Sequence, residues 1–380
     1  MGKMEPIDSP SAQSLDSEAK SILTILLGHH NISRYTDIHI SSTGIVKFRS
    51  RHILSLATNW EQLTDVEGKL RHDKQFDMIW RVLVGSEEWR TRIFRTKNYQ
   101  IRVQPLIGMN GKKLAIRVQP AAPPAIKETL RLQGLIDRLA VSSGLVLVCG
   151  PIGSGKTTTA ASLVAHWASR RALHVATIED PVEYLITPSG GEVTQINCNL
   201  ISADAAPNSL GLKQVLSRLL RGDIDALFIG EIRDDETRSA VLDHAATREP
   251  VLTTLHAGSI ADAILRLTKQ QGGSDQNSLR LSLSQCLDTV LYVDMAFTDA
   301  GVPVPVVIAI PGAFQPFRNA IAEAPAKTLN SQINQAITSC SAAEGGINGA
   351  QAYEAAIQAG ATRDSVLAAL PPDLRPGVAR

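Results

Sequence analysis

The chain has 380 residues, of which 44% are hydrophobic and 20% charged, as expected for a globular protein with room for two domains. Its 38 Lys and Arg residues and 37 Asp and Glu residues give a net charge of +1, which argues against a protein that mainly coats nucleic acid or an acidic membrane. Because no stretch is long and apolar enough to span a bilayer and the N-terminus lacks a signal-peptide pattern, a cytoplasmic location is expected.

The N-terminal third of the chain has the pattern of a small α/β domain. Residues 1–18 are rich in Ser, Asp and Pro and predict a flexible tail. Within the predicted domain, residues 19–120, alternating apolar positions predict strands at 45–52, 99–106 and 113–119 and helices at 17–27 and 73–83. Met109-Asn110-Gly111 predicts a hairpin turn before the last of these strands.

A short Ala/Pro stretch at residues 121–124 opens a predicted linker, residues 121–131. In the predicted second domain, residues 132–340, short apolar runs at 145–149, 175–178, 226–229 and 251–255 alternate with helical patterns, including 210–220 and 235–246. This alternation predicts a mostly parallel sheet that is covered on both faces. Residues 341–380 are predicted to be a flexible joint, at 341–349, followed by short helices at 353–358 and 364–370.

The four cysteines, Cys149, Cys198, Cys286 and Cys340, are scattered along the chain without a CxxC pair. Reduced, structural thiols are therefore expected rather than a zinc site or a disulfide framework.

Residues 150–157, GPIGSGKT, match the phosphate-binding pattern GxxxxGK[ST] between an apolar strand and a helix. Glycines allow the tight turn that aims backbone N–H groups at phosphate oxygens, and the helix N-terminus adds positive potential. The lysine reaches the β- and γ-phosphates and the first threonine can bind Mg²⁺, so ATP and Mg²⁺ are the expected cofactors. The predicted nucleotide-binding residues are Gly150, Pro151, Ile152, Gly153, Ser154, Gly155, Lys156, Thr157 and Thr158.

Acidic and polar side chains follow three further predicted strands. Glu231 ends the apolar run at 226–229 and is a candidate to polarise water or to hold Mg²⁺ together with Thr157. Glu179 and Glu183 follow the run at 175–178, although a solvated acidic loop explains them equally well. His256 ends the run at 251–255, as a sensor of the γ-phosphate or as a structural histidine.

In this order the four elements resemble those of the secretion ATPase family that powers type IV pili, type II secretion and type IV secretion. Residues 150–157 resemble its Walker A loop, 177–183 (TIEDPVE) its Asp box, 229–234 (IGEIRD) its Walker B segment, and 254–257 (TLHA) its His box. Residues 36–40 (TDIHI), 101–103 and 116–118 resemble parts of its N-terminal domain. The resemblance implies a RecA-like P-loop NTPase domain, a smaller PAS-like N-terminal domain, a homohexamer and ATP hydrolysis.

The same resemblance implies catalytic roles for Glu231, Glu179, Glu183 and His256. It also implies that Arg102 and Arg117, from the N-terminal domain, contact phosphates. Residues 90–117 hold eight basic side chains and no acidic one, which suits contact with phosphate, whereas a solvated basic face is the other interpretation.

Departures from the family pattern narrow the branch. The chain lacks the four-cysteine zinc element usual in type II secretion and pilus assembly ATPases. It also keeps little of the AIRNLIRE helix of pilus retraction ATPases at residues 329–337. These features favour the branch that serves Dot/Icm-type secretion and conjugative plasmid transfer. A pilus retraction ATPase and a RecA-like DNA translocase remain alternatives.

The expected partners are further copies of the chain and components of an inner-membrane secretion or conjugation complex, with peripheral membrane association through those components. No direct contact with nucleic acid is expected, since only Phe94 and Tyr99 interleave the basic stretch with aromatic rings.

Overall fold

The structure is a computed structural model, and it describes residues 22, 24–26, 37–50, 53–57, 63–64, 68–72, 74–85, 91–140, 142–197, 212–219, 221–247, 249–269 and 276–376. The chain divides into two compact units, the first ending at Ala122 and the second beginning at Pro123.

The N-terminal unit contains an antiparallel six-stranded sheet with the strand order β3-β2-β1-β6-β5-β4. One face of this sheet packs with helix α1 around a core that includes Ile38, Ile101, Ile116, Phe76 and Trp80. Along β1 and β5 buried and more accessible residues alternate, as expected for strands with one face in the core. The elements are β1 (Asp37–Ser41), β2 (Val46–Ser50), β3 (Ile53–Leu56), α1 (Gln75–Leu83), β4 (Arg92–Arg95), β5 (Tyr99–Gly108) and β6 (Gly111–Pro120).

Three of these strands and α1 confirm the predictions for this part of the sequence, with shifted ends. The hairpin between β5 and β6 turns at Met109 and Asn110, since Gly108 and Gly111 are paired, and Gly111 has a φ of 97° that favours glycine. Of the helix predicted at 17–27, residues 22 and 24–26 are described and are helical. The tail predicted at 1–18, and residues 51–52 of the predicted strand, lie outside the described residues.

The C-terminal unit is built on a seven-stranded sheet with the order β13-β12-β7-β11-β10-β8-β9. All neighbouring strands are parallel except β13, which pairs antiparallel with β12. The strands are β7 (Leu145–Gly150), β8 (His174–Glu179), β9 (Glu192–Asn197), β10 (Ala226–Ile229), β11 (Val251–His256), β12 (Leu287–Phe297) and β13 (Pro303–Pro311).

Helices cover both faces of this sheet. They are α2 (Ile126–Leu130), α3 (Gln133–Leu139), α4 (Lys156–Arg171), α5 (Leu212–Leu219), α6 (Asp235–Ala245), α7 (Ile260–Leu267), α8 (Gln276–Cys286), α9 (Gln315–Glu323), α10 (Leu329–Ser339), α11 (Gly349–Gln358) and α12 (Arg363–Ala369). The four apolar runs of the sequence are β7, β8, β10 and β11, and the predicted helices at 210–220 and 235–246 are α5 and α6.

Successive residues of the buried strands enter two different cores. Leu145, Leu147 and Cys149 of β7 belong to the larger core, whereas Val146 and Val148 belong to the core under α2, α3 and α4. This explains why these strands appear in the sequence as continuous apolar runs and not as alternating patterns.

Strand β13 carries Pro303, Pro305 and Pro311 and yet belongs to the sheet. It lies at the edge, where a residue without an N–H group costs the sheet no hydrogen bond if its nitrogen faces away from the neighbouring strand. An apolar run that contains several prolines can therefore form a strand at the edge of a sheet.

Two stretches differ from the sequence prediction. Residues 126–130 of the predicted linker form α2, whose Ile126 and Leu130 are buried in the core because they lie on one helical face. The predicted flexible joint at 341–349 is held by hydrogen bonds: Ile347 exchanges two backbone bonds with Ala309, and Asn348 caps α11. Its small polar residues act as helix caps and not as a flexible spacer. The helices predicted after it are α11 and α12.

Cys149, Cys286 and Cys340 are buried and form no disulfide, and Cys198 lies outside the described residues. Among the described residues no helix has the length and apolarity that crossing a bilayer requires. Within the same part of the chain there is no group of three or more His, Cys, Asp or Glu side chains suited to holding a metal by themselves.

Replacing Asn348 should destabilise the C-terminal unit. Asn348 Oδ1 accepts a hydrogen bond from the Gln351 N–H, at 3.1 Å, and its Nδ2 donates to the Cys340 carbonyl, at 2.8 Å. We expect Asn348→Ala to lower the free energy of unfolding by about 1–2 kcal/mol, measured by urea denaturation of the full chain. Asn330→Ala, at an exposed position of α10, is the matched control with a change within about 0.5 kcal/mol. Equal destabilisation by the two variants would contradict the capping role.

Candidate functional site

The glycine-rich loop joins the end of β7 to the start of α4. Gly155 precedes the helix with a φ of 89°, a conformation that suits glycine, and a Cβ there would lie 2.7 Å from Met295 Cε. A Cβ on Gly150 would collide with the carbonyl oxygen of Val293. Strand β12 therefore packs so closely against the loop that Gly150 admits no side chain. At Gly155 the positive φ is the stronger restriction, because Met295 Cε is the flexible end of a side chain.

Lys156, the first residue of α4, is a buried cation at this loop, with 6% of its surface exposed. Its Nζ donates a hydrogen bond to the Pro151 carbonyl, at 2.6 Å. Burial lowers its pKa, while the negative charges of Glu231 and Asp294 act in the opposite direction. Lys156 is thus within electrostatic range of Glu231.

Other loop residues differ in their surroundings. The hydroxyl of Ser154 is buried and has no hydrogen-bond partner among the described residues, whereas Ile152 is exposed. Thr158, in the first turn of α4, shares a 2.8 Å hydrogen bond with the hydroxyl of Tyr184, and burial raises the pKa of that tyrosine. Thr157 beside it is partly accessible.

Glu231 follows β10 and is held from both sides. The N–H of Gly230 donates to the Ile178 carbonyl, at 2.8 Å, and that of Ile232 donates to the Thr254 carbonyl, at 3.1 Å. Glu231 Oε2 accepts a 2.8 Å hydrogen bond from Nε of Arg233. The backbone and the carboxylate of Glu231 are therefore both restrained.

His256 ends β11 directly opposite Gly150 of β7, and its Nε2 lies 3.1 Å from Glu231 Oε1. Burial lowers the pKa of His256, and the positive charges of Lys156, Arg233 and Arg266 act in the same direction, against the opposing effect of Glu231. His256 is therefore neutral at pH 7, and its contact with Glu231 becomes an ion pair only at lower pH.

Glu179, the last residue of β8, is buried among hydrogen-bond donors. Its Oε1 accepts from the Thr177 hydroxyl, at 2.8 Å, and from Gln195 Nε2, at 3.2 Å. Burial raises its pKa, and these two bonds and one from the Glu183 backbone act against that rise. Glu179 is thus a packed and satisfied acid, while Glu183 is partly accessible on the loop that follows.

The structure therefore brings Lys156, Glu231 and His256 together, and Glu179 lies at the end of the strand next to Glu231. Arg102 and Arg117 belong to the N-terminal unit, where they are directly opposite each other on β5 and β6. Nε of Arg117 donates to Asp37 Oδ1, at 2.9 Å. The catalytic and phosphate-contact roles of all these residues stay predictions.

Sequence reasoning missed two residues with defined contacts at this edge. Arg233 pairs with Glu231 and also with Asp180, at 3.4 Å, and Tyr184 fixes Thr158. A signal for Arg233 was present, because a residue two positions after a strand-end carboxylate points to the same side. No sequence pattern indicated the bond of Tyr184.

These residues fit a nucleotide with its magnesium ion. The loop offers a close backbone approach at Gly150 and Gly155 and a cation at Lys156. It also offers the buried hydroxyl of Ser154, which has no partner in the part of the chain that the structure describes. Mg²⁺ bound with nucleotides is held by one or two carboxylates besides phosphate oxygens and water, so Glu231, together with the Thr157 hydroxyl, would be sufficient to hold it.

Comparison with known proteins identifies the family. Residues 17–296 match the family model described as "Type II/IV secretion system protein". The chain belongs to this family. The resemblance inferred from the sequence is thereby confirmed.

The relatives include the uncharacterized protein YggR of Escherichia coli K12, 29% identical over 262 residues that cover 69% of this chain and 76% of YggR. The type IV pilus retraction ATPase PilT of Pseudomonas aeruginosa is 34% identical over 151 residues, which cover 40% of this chain and 42% of PilT. Among known structures, the Legionella pneumophila ATPase DotB superimposes with a TM-score of 0.70 at 19% identity, covering 91% of this chain and 94% of DotB. This last similarity establishes the fold.

The charges around His256 predict opposite effects on its titration. We expect Lys156→Met to raise the pKa of His256 and Glu231→Gln to lower it, because a neighbouring cation disfavours the protonated ring and a carboxylate favours it. In the unaltered chain the pKa of His256 should lie below its ordinary value of 6.5. Ring-labelled NMR titration of nucleotide-free protein measures all three values, with His256→Gln assigning the signal. If the pKa of His256 shifted in the same direction in both variants, the arrangement of Lys156 and Glu231 around His256 would be contradicted.

Proposed function

We propose that this chain is the ATP-hydrolysing motor subunit of a type IV secretion or conjugative transfer machine at the inner membrane. The observation that carries the proposal is the arrangement of Lys156, Glu231 and His256 at one edge of the parallel sheet, beside a loop that is shaped for phosphate. Membership of the type II/IV secretion family supports a motor of this class.

The proposed reaction is transfer of the γ-phosphoryl group of ATP to water. Lys156 and the loop N–H groups bind the phosphates, and Glu231 orients the attacking water. Thr157 and Glu231 would hold Mg²⁺, which would neutralise the charge that develops on the phosphate oxygens. Glu179 and Glu183 support the placement of water and metal. His256, 3.1 Å from Glu231, senses the γ-phosphate or relays the nucleotide state.

The proposed assembly is a homohexamer of chains, each with a PAS-like domain at residues 19–120 and a RecA-like domain at residues 132–340. In this assembly Arg102 and Arg117 contact nucleotide phosphates. The ring is proposed to lie on the cytoplasmic side of the inner membrane and to associate with it through components of the secretion complex. In the proposed motor, whole domains move against each other as ATP is hydrolysed.

A second candidate function is pilus retraction, which the 34% identity to PilT over 151 residues favours. The sequence at residues 329–337, which keeps little of the AIRNLIRE pattern, favours secretion instead. These residues form most of α10, with Leu329, Ile333, Ala336 and Ile337 buried.

Two substitutions test the hydrolytic site. Lys156→Ala should abolish hydrolysis, because it removes the cation that binds the phosphates. Glu231→Gln should retain ATP binding but lower kcat by about 100-fold or more, because a neutral amide cannot orient and polarise water as a carboxylate does. In each variant, steady-state phosphate release measures hydrolysis and binding of a fluorescent ADP analogue measures nucleotide affinity. Normal turnover in Glu231→Gln would assign the main catalytic carboxylate to Glu179 or Glu183 instead.

One experiment tests both the oligomeric state of the chain and whether DNA is its partner. We expect the ATPase rate per chain to rise cooperatively with protein concentration, in step with a hexamer seen by light scattering, and to be unchanged by added DNA. Activity that appears only with DNA and falls steeply as salt rises would instead identify a nucleic-acid translocase that uses the basic stretch at residues 90–117.

A further inference from the structure

Arg233 joins the ends of two neighbouring strands through a single guanidinium group. Its Nε donates to Glu231 Oε2, at 2.8 Å, and its Nη1 lies 3.4 Å from Asp180 Oδ2. Glu231 follows β10, and Asp180 directly follows β8. Ile232 between Glu231 and Arg233 is buried, with 8% of its surface exposed, so the two charged side chains leave the strand end on the same side.

Hydrogen bonds fix the backbone around Glu231, so any movement of its carboxylate would come from rotation of the side chain. The N–H groups of Gly230 and Ile232 are bonded to Ile178 and Thr254, on the strands to either side. A glutamate side chain nonetheless retains several rotatable bonds, so a fixed backbone alone does not aim its carboxylate. That task requires contacts to the carboxylate oxygens themselves.

Two different groups meet the two oxygens of this carboxylate. Nε2 of His256 lies 3.1 Å from Oε1, and Nε of Arg233 lies 2.8 Å from Oε2. Arg233 carries a permanent positive charge and is in direct contact with Glu231. A guanidinium presents its donors in a rigid planar fork, which suits holding two carboxylates at once.

We infer that Arg233 is a positioning residue for hydrolysis, which aims the Glu231 carboxylate by anchoring it to Asp180 across the ends of β8 and β10. The inference rests on the proposed function, since it concerns the residue that orients water. It assigns Arg233 an effect on turnover through Glu231 and no contact with the nucleotide.

The ion pairs of Arg233 contribute little to the stability of the fold. Its side chain is 59% exposed and that of Asp180 is 43% exposed, and exposed ion pairs contribute little to folding. A second arginine offers a matched control on the same surface. Arg266, at 55% exposure, pairs with Asp262 at 3.0 Å and does not contact Glu231 in the described structure.

The test compares Arg233→Ala, Arg233→Lys and Arg266→Ala in the assembled full chain. We expect Arg233→Ala to lower kcat by about 10- to 100-fold, the effect of a misplaced catalytic group, while KM and the affinity for a fluorescent ADP analogue change by less than about 2-fold. Arg233→Lys should recover part of the lost kcat, because an ammonium group pairs with Glu231 but lacks the fork that reaches both acids. Arg266→Ala, which removes a nearby positive charge but no contact with Glu231 in the described structure, should retain the unaltered rate. All three unfolding midpoints should coincide.

A double-mutant cycle tests the anchoring acid. Asp180→Asn should lower kcat in the unaltered background and have no further effect in Arg233→Ala, since both changes remove the same restraint. Additive effects would overturn the anchoring by Asp180.

The outcomes separate this inference from the proposed function. If the unaltered chain hydrolyses ATP and Arg233→Ala has the same or a higher kcat, the positioning role is overturned and the proposed function stands. A loss of nucleotide affinity as large as the loss of kcat would also overturn it, by making Arg233 a phosphate contact. An unaltered, assembled chain that binds nucleotide but does not hydrolyse it would remove the proposed function and this inference together.

Discussion

The register of the parallel strands determines where every polar group of the candidate site lies. Strands β7, β11, β10 and β8 are neighbours in that order and run in the same direction, so their carboxyl ends meet at one edge. Because each strand is buried on both faces, a slip by one residue would exchange the side chains that enter the two cores. The packing of the strand interiors thereby fixes the pairing of His256 with Gly150 and the position of Glu231 beside β8.

At that edge two glutamates occupy contrasting environments. Glu179 is buried and bonded to neutral donors, and burial raises its pKa. Glu231 is more accessible, accepts from a guanidinium and lies within range of Lys156. A carboxylate that must act as an anion is better served by cationic partners than by burial among neutral ones. The contacts therefore favour Glu231 as the acid that faces the loop and Glu179 as a support for the β8–β9 side of the site.

Much of this arrangement follows from short-range patterns in the sequence. The glycine-rich loop and the apolar runs that became β7, β8, β10 and β11 predict the parallel sheet and the strand-end residues, because burial on both faces leaves continuous apolar segments. Strand β9 has no such run: Glu192 is exposed and the rest of the strand is only partly buried at the sheet edge. The contacts of Arg233 with Asp180 and of Thr158 with Tyr184 depend on which strands are neighbours in the sheet. Local patterns in the sequence do not give this order. Small residues at 341–349 misled the prediction, since Ser and Asn serve both as flexible spacers and as helix caps.

The loop itself carries polar groups that its own fold satisfies incompletely. Lys156 is nearly buried, a location that disfavours a charge, and its Nζ donates to a carbonyl oxygen and not to a carboxylate. The buried hydroxyl of Ser154 has no partner among the described residues. Gly150 and Gly155 keep this space free of side chains, since a Cβ at these positions would come close to Val293 or Met295. Groups of this kind are costly in a site that only stabilises the fold, whereas a phosphate supplies the anion and the acceptors that they lack. The same features that weaken the loop as a structural element therefore support the proposal that it binds phosphate.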